Sequence, residues 1–502
     1  MKKKIKTLQD HIQEMKKTKE LLPLHKMDEL SRRNFIQSVG IFLGGLMVPS
    51  MIRLETMSNL SRKILGNSTA FAQGFGSGPL DLHIYLRSGF SSRYLVGYYG
   101  DDGVLAANAN VPWATGVTST ATGDMPVILP PNAQNLVPFA GAIQHIVAEN
   151  TSGHTEYFQC SQRPGMGELL ALRAATEDDA GYKPLLSTPF VFGNTQNVAV
   201  QDLPSTLTSF TPMAFSSIAN AYQQFSPLTL TTNQGNTLTT TLRNTLLGIV
   251  GSKFEDDVTK GVLQKDTALI TSASDQTVKI LKTNYSDELN PNNDAGTMAL
   301  LTAGLGSQGN LSVSGMNPAQ AMYVMIKQAV LGVGPMTAGM IGSTGDWHDI
   351  NALAAGDGSG DDREVTGEYI AKLIANVVSA AQAGTWENPN GTNLEIRVHV
   401  HSEFSRTIAL TGTANDNNGD GQGCTSLVIG SDTSQTDFKP GCYGGTNTTS
   451  QEVGFNASTN EHSSSIAWVN PDILFGHKLN LLKIKKDLFN LTTYAGFPGD
   501  MA

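Results

Sequence analysis

Residues 318–349 read PAQAMYVMIKQAVLGVGPMTAGMIGSTGDWHD, and the reading of this stretch decides the fold class. From Pro318 to Gly332 the apolar residues Met322, Met325, Ile326 and Val330 recur at helical spacing, with Pro at the start and Gly at the end. A short strand-like run follows at Thr337 to Ile341, and then a polar loop from Gly342 to Asp349. The same succession returns downstream. Thr366 to Ala383 is a helix pattern with Tyr369, Leu373, Ile374, Val377 and Val378 inward, Glu395 to Val400 is a strand pattern, and His401-Ser-Glu-Phe-Ser-Arg406 comes next. Ser426 to Ile429 gives another short strand, closed by Gly430. Helices alternating with buried strands predict an α/β sheet with helices on both faces. In such sheets chemistry gathers in the loops that leave the carboxyl ends of the strands.

Working outward, Pro79-Leu-Asp-Leu-His-Ile-Tyr-Leu86 alternates with period two and ends at the turn Arg87-Ser-Gly89, so it reads as the opening strand of the sheet. The stretch from about 195 to 245 is rich in Ser, Thr, Asn and Gln with few charges, which predicts an insertion of loops and short helices. Helical spacing returns from Thr241 to Leu281, and Asn290 to Gly315 is turn-rich and marks a break, so the insertion spans about 195–315. No period of 20 to 50 residues repeats, which disfavours solenoids and propellers. The expectation is one domain over 73–502.

The chain of 502 residues is 40% hydrophobic and 16% charged, enough to bury a large core. Residues 1–72 hold 13 Lys and Arg against 6 Asp and Glu, a net of +7; the whole chain carries −10, so 73–502 carries −17. A body of that sign repels phosphate backbones, which disfavours DNA or RNA as a partner.

The basic segment is organised. Ser31-Arg32-Arg33-Asn34-Phe35-Ile36-Gln37 precedes an apolar stretch from Val39 to Ile52, and Ala70-Phe71-Ala72 follows. Paired arginines, a short apolar run and a small-x-small site are the parts of a secretory signal of the twin-arginine kind. The apolar run is shorter than the roughly 18 residues that span a bilayer. The chain is therefore expected to use the twin-arginine export machinery, to be cleaved at Ala72, and to reach the periplasm or the outside without a spanning helix in the mature chain. That pathway carries folded cargo, which raises the expectation of a bound ion. The only cysteines, Cys160, Cys424 and Cys442, form no Cys-x-x-Cys pair or four-thiolate set, so a metal must be held by oxygen and nitrogen. A Cys424–Cys442 bridge and three separate thiols are equally open readings.

Asp346-Trp347-His348-Asp349 follows a strand pattern and offers Asp346 and His348 as metal ligands; a capped polar turn uses the same letters. Glu403 and Arg406, three residues apart after another strand, either form an ion pair or meet a bound anion and its metal. Asp416-Asn-Asn418-Gly-Asp420-Gly421 matches the first half of a calcium loop, although its twelfth position is Leu427 and not Glu; an Asn/Asp/Gly turn also explains it. Asp357, Asp361 and Asp362 read as a solvated acidic loop, and His154 and Glu461-His462 stand isolated.

The leader, the strand ending in Leu86-Arg-Ser-Gly89, Gly153-His154, Gly345-Asp346-Trp347-His348 and Ser402-Glu-Phe-Ser-Arg-Thr407 come in an order that resembles the exported domain-of-unknown-function family 1501. That family resembles the alkaline phosphatase and sulfatase superfamily in fold. The resemblance covers most of 79–430 and is strongest over 318–430. It implies that Asp346 and His348 stand for the family's Asp-Thr-His, Glu403 and Arg406 for its Ser-Glu-Phe-Gly-Arg-Thr, and His154 for its Ser-His. Two positions depart. The family's Arg-Gly-Gly-x-Asp-Gly reads Arg87-Ser88-Gly89-Phe90-Ser91-Ser92, and its Asp-His-Gly reads Gly419-Asp420-Gly421. One carboxylate and one imidazole are missing, and Asp81, His83 or Asp420 could substitute where geometry permits.

Two expectations follow from the resemblance. One is an exported hydrolase of a phosphate or sulfate ester, assisted by a divalent metal (zinc, manganese or calcium) at Asp346, His348, His154 and Asp420, with Glu403 and Arg406 catalytic. Its partner would be an anionic small molecule or glycan ester. The other is a non-catalytic secreted or envelope-associated binding protein of the same fold, steadied by calcium at Asp416 to Asp420. No nucleophile is identified, since serines such as Ser91 and Ser92 are common at strand ends for turn reasons alone.

Overall fold

Leu80–Arg87 forms strand β1, and every second side chain along it is apolar: Leu80, Leu82, Ile84 and Leu86 point to one face, Asp81, His83 and Tyr85 to the other. Both sets are buried, so this strand lies inside the molecule. In the computed structural model the described residues are 79–87, 95–96, 99–100, 118–120, 127–149, 169–170, 173, 189–193, 212–223, 225, 284–344, 359–388, 391–402, 423–431, 440–443, 445–446, 452–456, 461–463, 478 and 481–482.

Seven more strands join β1: β2 (Ile143–Glu149), β3 (Phe190–Phe192), β4 (Met213–Phe215), β5 (Thr337–Ser343), β6 (Ile396–Ser402), β7 (Gly423–Gly430) and β8 (Gly441–Tyr443). Their spatial order is β8-β2-β7-β6-β1-β5-β3-β4. Only β7 runs against its neighbours β6 and β2; the other pairs are parallel. The fold is therefore α/β with a mixed, mostly parallel sheet. β4 comes from the stretch read as an insertion and adds an edge strand to this same sheet.

Among the described residues the helices with stated bounds are α1 (Ile218–Gln223), α2 (Tyr285–Leu289), α3 (Ala295–Thr302), α4 (Pro318–Val330) and α5 (Ser359–Gln382). α4 begins where Asn317 Oδ1 accepts from the Ala319 N–H at 2.9 Å, with Pro318 at the first position. It ends as the sequence suggests. Gly332 takes a φ of 63°, its N–H reaches the Ala329 carbonyl at 3.0 Å, and the Val333 N–H reaches the Gln328 carbonyl at 3.0 Å. Residues of α4, α5 and the 3-10 segment Pro131–Ala142 share one apolar core with Leu80, Leu82, Ile84, Val398 and Leu427. The long helices thus cover the apolar face of β1 and β6. Among the described residues no helix is long and apolar enough to cross a membrane.

Two expectations need correction. α5 starts at Ser359 rather than Thr366, so Asp361 and Asp362 belong to a helix and not to a solvated loop; carboxylates near a helix amino end are favourable. The turn-rich break over 290–315 contains α3, which Asp294 caps by accepting from the Thr297 N–H and hydroxyl at 3.0 and 2.8 Å. Cys424 lies on β7 and Cys442 on β8, with β2 between them.

Candidate metal centre

The face of β1 and β6 that looks away from the apolar core carries Asp81, His83 and Tyr85 beside Arg397, His399 and His401, each 0–1% exposed. Parallel register aligns Asp81 with Arg397 and His83 with His399. Arg173 and Lys478, from helical turns elsewhere in the chain, are buried against the same face.

Asp81 is the anionic centre. Its Oδ1 accepts from Arg397 Nε at 2.7 Å and His399 Nε2 at 2.8 Å, and its Oδ2 from Arg397 Nη2 and Arg173 Nε, each at 3.0 Å. The two guanidiniums are held in turn by carbonyls, Arg397 Nη2 on Leu481 at 2.7 Å and Arg173 Nη2 on Pro79 at 3.3 Å. Burial by itself would raise the carboxyl's affinity for a proton, but Arg397, the hydrogen bond from His399 and Arg173 outweigh it and hold Asp81 well below the usual carboxylate range. It is therefore ionised and can only accept.

That fixes the adjoining tautomer. His399 must carry its proton on Nε2 to donate to Asp81, which leaves a lone pair on Nδ1. His83 Nδ1 and His401 Nε2 lie 3.1 Å apart, and Lys478 Nζ lies 2.7 Å from His401 Nδ1. His83 Nε2 is buried with no hydrogen-bond partner among the described residues. The three rings are nearly parallel, with the His83 and His399 centroids 4.5 Å apart. Burial pushes all three imidazoles toward the neutral form: His399 down to about 4 despite its bond to Asp81, and His83 and His401 well below the ordinary value, with neighbouring cationic groups adding to the effect.

Neutral imidazole is the form that ligates metals. One nitrogen from each of His83, His399 and His401 lies within 4.8 Å of the others, so this group could hold a metal ion. The Asp81–His399 bond has the carboxylate–histidine form that orients a metal ligand from behind. Three imidazoles suit zinc, copper, nickel or iron; calcium and magnesium prefer oxygen.

The residues singled out in the sequence, Asp346, His348, His154, Asp420, Glu403 and Arg406, lie outside the described residues, as do the leader 1–72 and Asp416 to Asp420. The strand ends to which their segments attach are described. β1, β5 and β6 are adjacent and parallel, with Arg87 opposite Ser343 and Leu86 opposite Ser402, and the Thr344 hydroxyl donates to the Arg87 carbonyl at 3.0 Å. β7 runs the other way, so it enters at the rim where β6 leaves; β2 ends there too, with Glu149 opposite Gly423. Five segment junctions thus sit on one carboxyl rim of the sheet.

Of the substitutes considered from sequence, Asp81 and His83 are in one buried cluster. His401 is not the start of a loop but part of β6, its imidazole buried. Arg397, His399, Arg173 and Lys478 escaped the sequence reading. A signal for the first two existed: Ile396-Arg-Val-His-Val-His401 alternates apolar with polar as Leu80-Asp-Leu-His-Ile84 does, giving two strands with one polar face each. Nothing in sequence marks Arg173 or Lys478. No protein-family model, no curated protein and no solved structure matches this chain.

Proposed function

We propose that the chain is an exported, metal-assisted hydrolase of a phosphate or sulfate ester, built on an alkaline-phosphatase-like sheet with helices on both faces. One observation carries the reading. The segments bearing His154, Asp346 and His348, Glu403 and Arg406, and Asp420 attach to the sheet at a single carboxyl rim, through Glu149, Thr344, Ser402 and Gly423. That is where open α/β sheets place their chemistry.

In this reading Asp346 and His348, with His154 and Asp420, hold a divalent ion (zinc, manganese or calcium), and Arg406 receives the charged oxygens of the ester in its planar fork. The ion supplies Lewis-acid polarisation of the ester. Glu403 holds Arg406 in its working orientation. The twin-arginine leader exports the folded chain to the periplasm or beyond, where an anionic small molecule or glycan ester is the substrate class.

The test is turnover of an aryl phosphate and an aryl sulfate by the full chain supplied with zinc or manganese. Hydrolysis of one of them, reduced on the order of 100-fold in kcat/KM by Asp346→Asn or His348→Ala without a change in unfolding, is the expected result. A folded, metal-supplied protein that turns over neither ester contradicts it. A second reading, a non-catalytic binding protein at the envelope, draws on Arg87-Ser-Gly-Phe-Ser-Ser92, which offers no carboxylate at a strand end where a two-metal site needs one. Calcium alone, or no ion at the rim, favours it.

A further inference from the structure

We propose that His83, His399 and His401 form a buried metal centre of their own, separate from the rim, which takes one first-row transition ion of the zinc class as the chain folds. The proposal stands independently of the ester-hydrolase reading, because all three ligands lie within strands β1 and β6 rather than on the segments beyond them.

The ligand set is built on rigid elements. His83 and His399 are register partners on adjacent parallel strands, and His401 is the next residue of β6 on the same face. His83 Nδ1 and His401 Nε2 share a hydrogen bond at 3.1 Å, close to the about 3.3 Å between two ligand atoms in a tetrahedral zinc site with Zn–N bonds of about 2.0–2.1 Å, so an ion would take the place of the shared proton. The remaining spread is up to 4.8 Å, about 1.5 Å more than two ligand atoms of a tetrahedral site need, and binding draws the three imidazoles together by that amount. Asp81 already holds the proton on His399 Nε2 and so leaves Nδ1 as the donor.

A purely structural role explains less. Buried ion clusters add little stability over apolar residues of similar volume, so stability alone gives a weak reason to keep three imidazoles on this face. Three neutral imidazoles in contact, oriented from behind by an ionised carboxylate, are a ligand set in waiting. Among the described residues Arg397 and Arg173 bond Asp81 and carbonyls, and the cationic group that touches an imidazole without touching Asp81 is Lys478, 2.7 Å from His401. With the ligands 0–1% exposed, the ion enters during folding and leaves only on unfolding. Export in the folded state, expected from the leader, would carry such an ion across the membrane in place.

The experiment is metal analysis of the full chain, purified folded, washed with chelator, and then unfolded in denaturant. The expected result is about one transition ion per chain that survives the wash and is released on unfolding. His83→Ala and His399→Ala each lower the retained ion about 10-fold or more, whereas His348→Ala leaves it in place. Should either cluster variant fail to fold, the His348→Ala chain refolded with cobalt(II) decides through its visible d–d absorption: intense tetrahedral bands that survive loss of the rim ligand support the site. A folded wild-type chain that retains no transition ion, together with a His348→Ala chain that gives no such bands, overturns the proposal. Loss of the retained ion in His348→Ala with none lost in His399→Ala overturns it as well, because the ion then belongs to the rim.

Discussion

The two faces of strands β1 and β6 are buried to the same depth by opposite means. On one, Leu80, Leu82, Ile84, Ile396, Val398 and Val400 pack beneath α4 and α5 in a continuous apolar core. On the other, Asp81, His83, Arg397, His399 and His401 are as inaccessible, yet they are held by directed bonds to one carboxylate and to each other. The apolar face gains about 1.5–3 kcal/mol per large side chain, a sum of many weak contacts that degrades gradually. The polar face is a balance of desolvation against pairing, and it fails when one partner is removed. A protein that needed stability alone would have two faces of the first kind. The second kind is the one that could hold a metal ion.

This contrast can be broken by mutation. Asp81→Ala strips the shared acceptor from Arg397, Arg173 and His399 and should cost about 4–5 kcal/mol, or prevent folding, in urea titration. Leu82→Ala on the other face leaves a cavity worth about 3 kcal/mol. If Asp81→Ala proves the milder of the two, the polar face is not a paired network.

Acid sharpens the same comparison, because only one face titrates. His399 is held at about 4 in the folded chain against an ordinary 6.5, and His83 and His401 are lowered in the same direction. Between those values the unfolded chain binds protons that the folded chain refuses. Stability of the metal-free protein, refolded in the presence of chelator, is therefore full above about pH 6.5, falls as the pH drops toward 4, and levels off for His399 below that. The His399 contribution alone is on the order of 3 kcal/mol. Asp81 adds a further loss only at pH below its ordinary carboxylate range. Unfolding midpoints that stay flat from pH 7 to 4 would show that the imidazoles are not buried as neutral groups.

Smaller effects calibrate the scale. A Cβ at Gly334 would sit 1.3 Å from Gln328 Oε1, so Gly334→Ala must displace a carboxamide that donates to the Met325 and Pro335 carbonyls at 3.2 and 2.8 Å. About 1–2 kcal/mol should be lost in thermal or urea unfolding. Glu368→Ala removes an i,i+4 pair with Lys372 at 3.5 Å on the outside of α5, and should change stability by less than about 0.5 kcal/mol.

Much of the fold was legible because its signals are local. The periodicity of Met322, Met325, Ile326 and Val330 and the stop at Gly332 depend on residues within a few positions, and α4 runs from Pro318 to Val330 accordingly. The alternation at Leu80 to Leu86 marked β1 for the same reason. What escaped is non-local. The partnership of Asp81 with Arg397 and His399 spans more than 300 residues and depends on a parallel register that neither strand encodes alone. Reading Glu395 to Val400 as a strand that ended before His401 cut off the residue that completes the cluster. Arg173 and Lys478 come from short helical turns whose sequences give no reason to point at this face. Asp81 and His83 were noticed only as substitutes for ligands missing elsewhere, whereas their own strand had already paired them with another set.

Lys478 offers the smallest and most selective change, since it touches the cluster without contacting Asp81 in the network described above. Lys478→Met removes a cationic neighbour from His401 and should tighten retention of a transition ion by about 10-fold or less in competition with a chelator. Weaker retention would show that the amine supports the site rather than competing with the ion.

The central claim is that the polar face of the sheet is a metal centre of three imidazoles. X-ray absorption at the metal edge of the folded, chelator-washed chain tests it most directly. Three imidazole nitrogens at about 2.0–2.1 Å, with ring scattering that diminishes in His399→Ala, is the expected spectrum. A first shell of oxygens alone, or a spectrum that His399→Ala leaves unchanged, would contradict it.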